Sequence, residues 1–153
     1  MKVFFAADHA GFDLKNVLMR FAKDKGYSVE DCGAFELNKD DDYPQLVASA
    51  AKKISENPKN RAVLLGGSGQ GEAIVANRFS NVRAVVYYGC RPDIIRLSRE
   101  HNDANVLSLG ARFLGEEESK DVLIDWLRRD SPTERRHQRR VAQIENIQET
   151  YEG

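Results

Sequence analysis

The chain alternates between short apolar runs and longer segments of helical periodicity from one end to the other. The run at residues 62–65 is almost wholly apolar, which is typical of a strand buried on both faces. Strands that alternate with helices form a parallel sheet covered by helices on both sides. The 153 residues therefore predict one domain (1–153), an α/β doubly wound five-stranded parallel sheet in a three-layer, Rossmann-like αβα sandwich. The predicted strands are residues 2–7, 27–31, 62–65, 83–88 and 105–109.

Composition and charge exclude several classes of protein. The formal net charge is −1, so no global basic field points to nucleic acid or to an anionic membrane. No apolar run approaches the roughly 20 residues of a membrane span, and the first residues reach Asp8 too soon for a signal peptide. Cys32 and Cys90 lie far apart, so neither a disulfide nor a zinc site is indicated. We expect a cytoplasmic protein that binds no metal, no nucleic acid and no membrane.

A glycine-rich turn, Gly-Gly-Ser-Gly-Gln-Gly at residues 66–71, joins the third predicted strand to a helix that carries Glu72 in its first turn. Backbone N–H groups at such a turn favour an anion, and Glu72 could move a proton at the same spot. A Walker A loop would have lysine in place of Glu72, and the dinucleotide pattern needs another glycine three residues after Gly71. The turn therefore suits an oxyanion intermediate. Alternatively it is purely structural, with Ser68 as a cap and Glu72 complementing the helix dipole.

Polar residues also cluster elsewhere along the chain. Asp8-His9 follows the first strand, at the sheet edge where doubly wound folds bind ligands, although Asp8 could simply cap a helix. Tyr43 precedes a proline that suits a helix start. His101 is a natural proton donor near neutral pH, with the Asn102 amide beside it, but residues 98–105 could also be only a polar connector.

The C-terminal part of the chain is rich in arginine. Arg136 and Arg140 are four residues apart, hence on one face of a helix predicted at about 133–151, and two guanidinium groups match a phosphate dianion. A solvated basic face is the other interpretation. The apolar stripe of Val141, Ile144, Ile147 and Tyr151 predicts that this helix packs on its own core or, as we favour, at a subunit interface.

Taken in order, these segments resemble the ribose-5-phosphate isomerase B family, which includes galactose-6-phosphate isomerase subunits. The resemblance extends over nearly the whole chain. It implies a metal-free, cofactor-free aldose–ketose isomerase with a doubly wound fold, acting as a homodimer or dimer of dimers with active sites shared between subunits. The matching segments are residues 8–11, 42–44, 67–72, 76–77, 83–84, 101–105, 110–112 and 136–140.

The resemblance also implies roles for individual residues. His101, assisted by Asp8, would open the furanose ring, and Glu72 would carry the proton between C2 and C1. Ser68 would help the turn amides to hold the enediolate oxygen. The implied substrate-binding residues are His9, Tyr43, Gly67, Gly69, Gly71, Asn102, Arg112, Arg136 and Arg140.

One position departs from a common pattern of the family. Many members carry a cysteine base where this chain has Gly66, and neither Cys32 nor Cys90 can replace it, so the chain resembles the branch with glutamate at position 72.

The expected reaction interconverts ribose 5-phosphate and ribulose 5-phosphate. The alternatives are isomerisation of galactose or allose 6-phosphate, and a non-catalytic module that binds sugar phosphates or nucleotides.

Overall fold

The computed structural model describes residues 1–152, and their order of elements confirms the predicted alternation of strands and helices. The strands are β1 (Lys2–Ala7), β2 (Ser28–Asp31), β3 (Arg61–Gly66), β4 (Ala84–Tyr87) and β5 (Val106–Gly110). The helices are α1 (Phe12–Asp24), α2 (Tyr43–Glu56), α3 (Gln70–Ala76), α4 (Asp93–Glu100), α5 (Glu116–Arg128), α6 (Arg135–Glu145) and α7 (Ile147–Glu152). Neighbouring strands pair in parallel in the order β2-β1-β3-β5-β4, as a doubly wound sheet requires.

The sheet separates two hydrophobic layers. All six residues of β3 are buried, and because successive side chains point to opposite faces, Val63 and Leu65 join one cluster while Ala62 and Leu64 join the other. The first cluster packs against α1, α4 and α5, and the second against α2 and α3. This three-layer arrangement confirms the predicted fold class.

The parallel strands give the sheet two different ends. We call the end where the strands finish the carboxyl edge and the end where they begin the amino edge. The segments after β1, β3 and β5 lie at the carboxyl edge, whereas the segments after α4 and α5 return to the amino edge. The six-residue β3 separates the two edges by about 17 Å, at about 3.3 Å per residue.

The C-terminal segment differs from the single helix predicted over residues 133–151. The chain forms α6 and α7 with Asn146 between them, at a residue type that favours helix ends over helix interiors. The predicted apolar stripe is largely uncovered, since Ile144, Ile147 and Tyr151 are 48%, 50% and 80% exposed. The stripe therefore does not pack on the core of its own chain. Gly153 lies outside the described residues.

Candidate active site

Glu72 lies at the carboxyl edge, where the turn after β3 leads into α3. Gly69 in this turn has a φ of +77°, a left-handed conformation that glycine adopts without strain. Glu72 is only 4% exposed, and its carboxylate folds back against the last residue of β3. An ideal Cβ built on Gly66 would lie 2.0 Å from Oε1 of Glu72. Position 66 therefore has to be glycine while the carboxylate occupies this place.

Asp8 brings a second buried carboxyl group to the same edge. It directly follows β1, and its Oδ1 accepts a hydrogen bond of 3.0 Å from the backbone N–H of Gly11. Burial raises the pKa of Glu72, a hydrogen bond to backbone lowers it by less, and the negative charge of Asp8 adds to the rise. A carboxylate whose pKa is raised in this way is a stronger base than one in water.

Two longer side chains close around the glycine turn. The Tyr43 hydroxyl oxygen would lie 2.6 Å from a Cβ built on Gly71, and the Arg112 Nη1 would lie 3.0 Å from a Cβ built on Gly67. Both glycines thus allow a close approach that a larger residue would prevent. The structure therefore brings a phenol and a guanidinium to the same turn.

Ser68 is exposed at the tip of this turn. Its Oγ accepts a hydrogen bond of 3.3 Å from the backbone N–H of Gln70, while Gly69, not Ser68, occupies the position that caps α3. The hydroxyl proton of Ser68 is not used in this contact. Ser68 can therefore donate to a ligand while accepting from the helix terminus.

His9 extends the carboxyl-edge group toward the loop after β2. Its Nδ1 lies 2.7 Å from Oδ1 of Asp41, whose side chain is 7% exposed. Asp41 was missed in the sequence because 32 positions separate it from His9, and an acidic loop by itself indicates only a solvated segment. Asp41 therefore joins the candidate site as a partner of His9.

Other predicted site residues lie at the amino edge. His101 follows α4 and stacks on His137 of α6, with ring centroids 4.1 Å apart and planes inclined by 15°. Asn102 is exposed beside it. Arg136 and Arg140 are exposed on α6, where Nε of Arg136 lies 2.8 Å from Oε2 of Glu134.

Arg83 fixes the loop that carries His101 and Asn102. Its Nε donates to the carbonyl oxygens of Asn102 at 3.1 Å and of Asp103 at 2.9 Å, and its Nη2 pairs with the Asp103 carboxylate at 3.0 Å. Its Nη1 pairs with Glu145 at the end of α6. Sequence reasoning assigned no role to Arg83 or His137, because both act by contacting residues far away in the chain.

The predicted site residues thus form two groups within one chain. The carboxyl-edge group contains Asp8, His9, Tyr43, Gly67, Ser68, Gly69, Gly71, Glu72 and Arg112. The amino-edge group contains His101, Asn102, Arg136 and Arg140. Because the length of a strand separates the groups, the predicted assistance of His101 by Asp8 does not occur inside a single chain.

Neither a cluster of metal ligands nor an activated Cys32 thiol is found among the described residues. Among the described residues, no three His, Cys, Asp or Glu side chains come together in a way that could hold a metal ion. Burial raises the pKa of the Cys32 thiol to about 11, helped by the negative charge of Glu30, so this thiol is a poor nucleophile. None of the helices in residues 1–152 has the length and apolar character needed to cross a bilayer.

Comparisons with known proteins show which family the chain resembles. The sequence profile described as Ribose/Galactose Isomerase matches residues 3–144. Ribose-5-phosphate isomerase B of Mycobacterium leprae (strain TN) is 33% identical, over 100% of this chain and 93% of that protein. The enzyme of the same name from Escherichia coli (strain K12) is 35% identical, over 97% of each.

Solved structures of such enzymes share the fold of this chain. The ribose-5-phosphate isomerase B of Mycoplasma genitalium, crystallised with bound ribulose 5-phosphate, superposes with a TM-score of 0.91 at 31% identity, over 97% of this chain and 96% of that one. The Clostridium thermocellum enzyme superposes with a TM-score of 0.90 at 35% identity, over 99% of both chains.

Proposed function

The chain belongs to the ribose/galactose isomerase family, and on that premise we propose that it interconverts ribose 5-phosphate and ribulose 5-phosphate through an enediolate. This proposal rests on the position of the Glu72 carboxylate. The carboxylate is buried against Gly66, beside the backbone amides of the glycine turn, and burial raises its pKa. Moving a proton between neighbouring carbons needs one such base and a group of donors for the oxyanion.

Glu72 removes the proton from C2 of the open-chain aldose and returns it to C1. Its raised pKa brings its basicity closer to what abstraction beside a carbonyl requires at neutral pH. The negative charge that develops on the substrate oxygen is stabilised by the amides of residues 67–71 and by the Ser68 hydroxyl. Tyr43 lines the pocket beside Gly71.

Ring opening and phosphate binding depend on both groups of residues. As the bond between C1 and the ring oxygen breaks, His101 donates a proton to the ring oxygen and Asp8 accepts the proton of the C1 hydroxyl, which becomes the aldehyde. Asn102 binds a sugar hydroxyl, while His9, Arg112, Arg136 and Arg140 bind the phosphate. In a single chain His101 lies at the amino edge and Glu72 at the carboxyl edge. We therefore place the amino edge of one copy against the carboxyl edge of a second, in a homodimer with two shared sites or a dimer of such dimers. The exposed apolar residues of α6 and α7 belong to this subunit contact.

The reaction is tested with purified protein and five- and six-carbon aldose phosphates in the presence of EDTA. Ribulose 5-phosphate formed from ribose 5-phosphate, lost in Glu72→Gln, supports the assignment of the base. Turnover of galactose 6-phosphate alone would move the substrate to the six-carbon class. Melting temperatures that rise with ATP but not with pentose phosphates would instead indicate a nucleotide-binding module.

The shared site is tested by mixing two inactive variants, Glu72→Gln and His101→Asn, after unfolding and joint refolding. If the sites are shared, each mixed dimer contains one intact site and one site with both changes. About half of randomly formed dimers are mixed, so about a quarter of wild-type activity returns. A site contained within one chain would give no recovery.

A further inference from the structure

The contact between His9 and Asp41 has features that its place in the fold does not explain. Nδ1 of His9 lies 2.7 Å from Oδ1 of Asp41. The side chain of Asp41 is 7% exposed, while that of His9 is 30% exposed. The buried partner is therefore the acid, on a loop, and the more accessible one is the histidine. This is the arrangement expected when a carboxylate serves an imidazole that faces a ligand.

The second oxygen of Asp41 supports this interpretation. Oδ2 is buried, and within the described residues no donor lies within hydrogen-bonding distance of it. A buried carboxylate oxygen without a donor costs stability, so folding alone gives no reason to keep an acid at this position. A group kept at such a cost points to a role other than stability.

The loop that carries Asp41 is firmly attached to β1, the strand that leads to His9. Lys15 of α1 is fully buried, and its ammonium group donates to Oδ1 of Asp31 at 2.7 Å and to the carbonyl oxygen of Ala34 at 2.6 Å. The backbone N–H of Ala34 in turn donates to Ala7 at 2.9 Å. At its other end the loop runs into α2, which packs on the core through Val47. The loop that presents the carboxylate is therefore anchored at both ends.

We propose that Asp41 is a positioning residue for substrate phosphate binding and acts through His9. An ionised carboxylate only accepts hydrogen bonds, so the Nδ1 of His9 carries a proton and donates it to Oδ1. The imidazole is thereby held in one orientation, and Nε2, on the other side of the ring, donates a hydrogen bond to a phosphate oxygen when the ring carries a proton on both nitrogens. This inference rests on the proposed function, in which His9 contacts the phosphate.

The first test replaces Asp41 by asparagine. An amide can present either oxygen or NH2 to the ring, so the orientation of His9 is no longer fixed. We expect the KM for ribose 5-phosphate to rise about tenfold while kcat stays within about twofold of wild type, because phosphate binding is a uniform contribution. Asp40→Asn is the matched control, since it removes the same charge from an exposed neighbour on the same loop and should change neither constant.

A double-mutant cycle with His9→Asn separates positioning from a general effect on the loop. If Asp41 acts through His9, then Asp41→Asn raises KM in the wild-type background and adds nothing in the His9→Asn background. An unchanged KM in the single variant overturns the proposal. An equal increase in both backgrounds overturns it as well, because Asp41 would then act by another route.

A spectroscopic measurement on the wild-type protein needs neither folding of a variant nor activity. Two-dimensional 1H–15N spectra of the imidazole rings report which nitrogen of His9 carries a proton. A protonated Nδ1 supports the inference, and a bare Nδ1 overturns it. If the wild-type protein shows no isomerase activity while Nδ1 is protonated, the proposed function fails and the His9–Asp41 geometry stands. If Glu72→Gln abolishes activity while Asp41→Asn leaves KM unchanged, the function stands and this inference fails.

Discussion

Adding one methyl group at Gly66 should separate the position of the Glu72 carboxylate from the integrity of the fold. A Cβ at position 66 would lie 2.0 Å from Oε1, and real Cβ contacts essentially never fall below 3.0 Å. In Gly66→Ala the carboxylate therefore has to move by about 1 Å. Oε1, Oε2 and Cδ of Glu72 are the atoms nearest to the added Cβ, so the end of a flexible side chain moves and the backbone does not.

The size of the expected effect follows from this displacement. A misplacement of about 1 Å at the reacting centre costs about 100-fold in rate. At 1.36 kcal/mol per tenfold, this corresponds to about 2.7 kcal/mol of lost transition-state stabilisation. We expect kcat/KM for ribose 5-phosphate to fall about 100-fold in Gly66→Ala, with a melting temperature close to that of wild type.

The measurement combines ribulose 5-phosphate formation with thermal unfolding. Gly115→Ala is the control for activity, because a Cβ on Gly115 meets no atom within 4 Å and the position lies at the start of α5, so kcat/KM should be unchanged. Full activity of Gly66→Ala would refute the assignment of Glu72 as the base, since the observed position of its carboxylate would not matter.

A second experiment uses the Glu72→Ala background, which makes room for a side chain at position 66. Adding Gly66→Cys there should restore part of the activity lost in Glu72→Ala, because the resemblance described in the sequence analysis implies that a cysteine at this position can act as the base.

Three further predictions concern stability and turnover. Because the folded-state pKa of Glu72 is raised, its contribution to stability is present below the unfolded pKa of about 4.3 and is lost as pH rises through the folded value. Glu72→Gln should therefore melt higher than wild type at pH 8, with the difference disappearing near pH 4; an equal difference at both pH values would contradict this. Arg61 donates to the carbonyl oxygens of Trp126, Leu127 and Arg129 at 2.5, 2.8 and 2.6 Å. Arg61→Ala should therefore lower the free energy of unfolding, measured by urea titration, by about 4 kcal/mol. The control Arg96→Ala breaks only an exposed ion pair and should have almost no effect. Ser68→Ala should lower kcat by about tenfold with an unchanged melting temperature, since the turn amides compensate in part; an unaltered kcat would exclude the hydroxyl as an oxyanion donor.

The strands and the glycine turn could be predicted because their signals are local. The apolar run at residues 62–65 and the glycines that follow it describe β3 and its turn without any information from elsewhere in the chain. The same local pattern separates the two edges of the sheet, since His101 comes before a strand and Asp8 comes after one. The resemblance gives these residues catalytic roles, but those roles do not say at which edge of the sheet each residue lies.

The parts that could not be predicted depend on distant contacts. Lys15 lies on a helix among other polar residues, and only the fold reveals that it is fully buried against Asp31. The pairing of His9 with Asp41 and the stacking of His101 on His137 are of the same kind. The division of the C-terminal helix at Asn146 has a local cause, but a single asparagine only weakly favours a helix end.

Because the length of a strand separates His101 from Glu72 in one chain, specific activity should depend on the concentration of the protein. If each protomer holds half of two sites, mass action controls the number of working enzymes, and dilution below the dissociation constant of the pair lowers specific activity even when every chain remains folded. A protomer with one damaged edge would still form pairs and would silence one site of each healthy partner it captures.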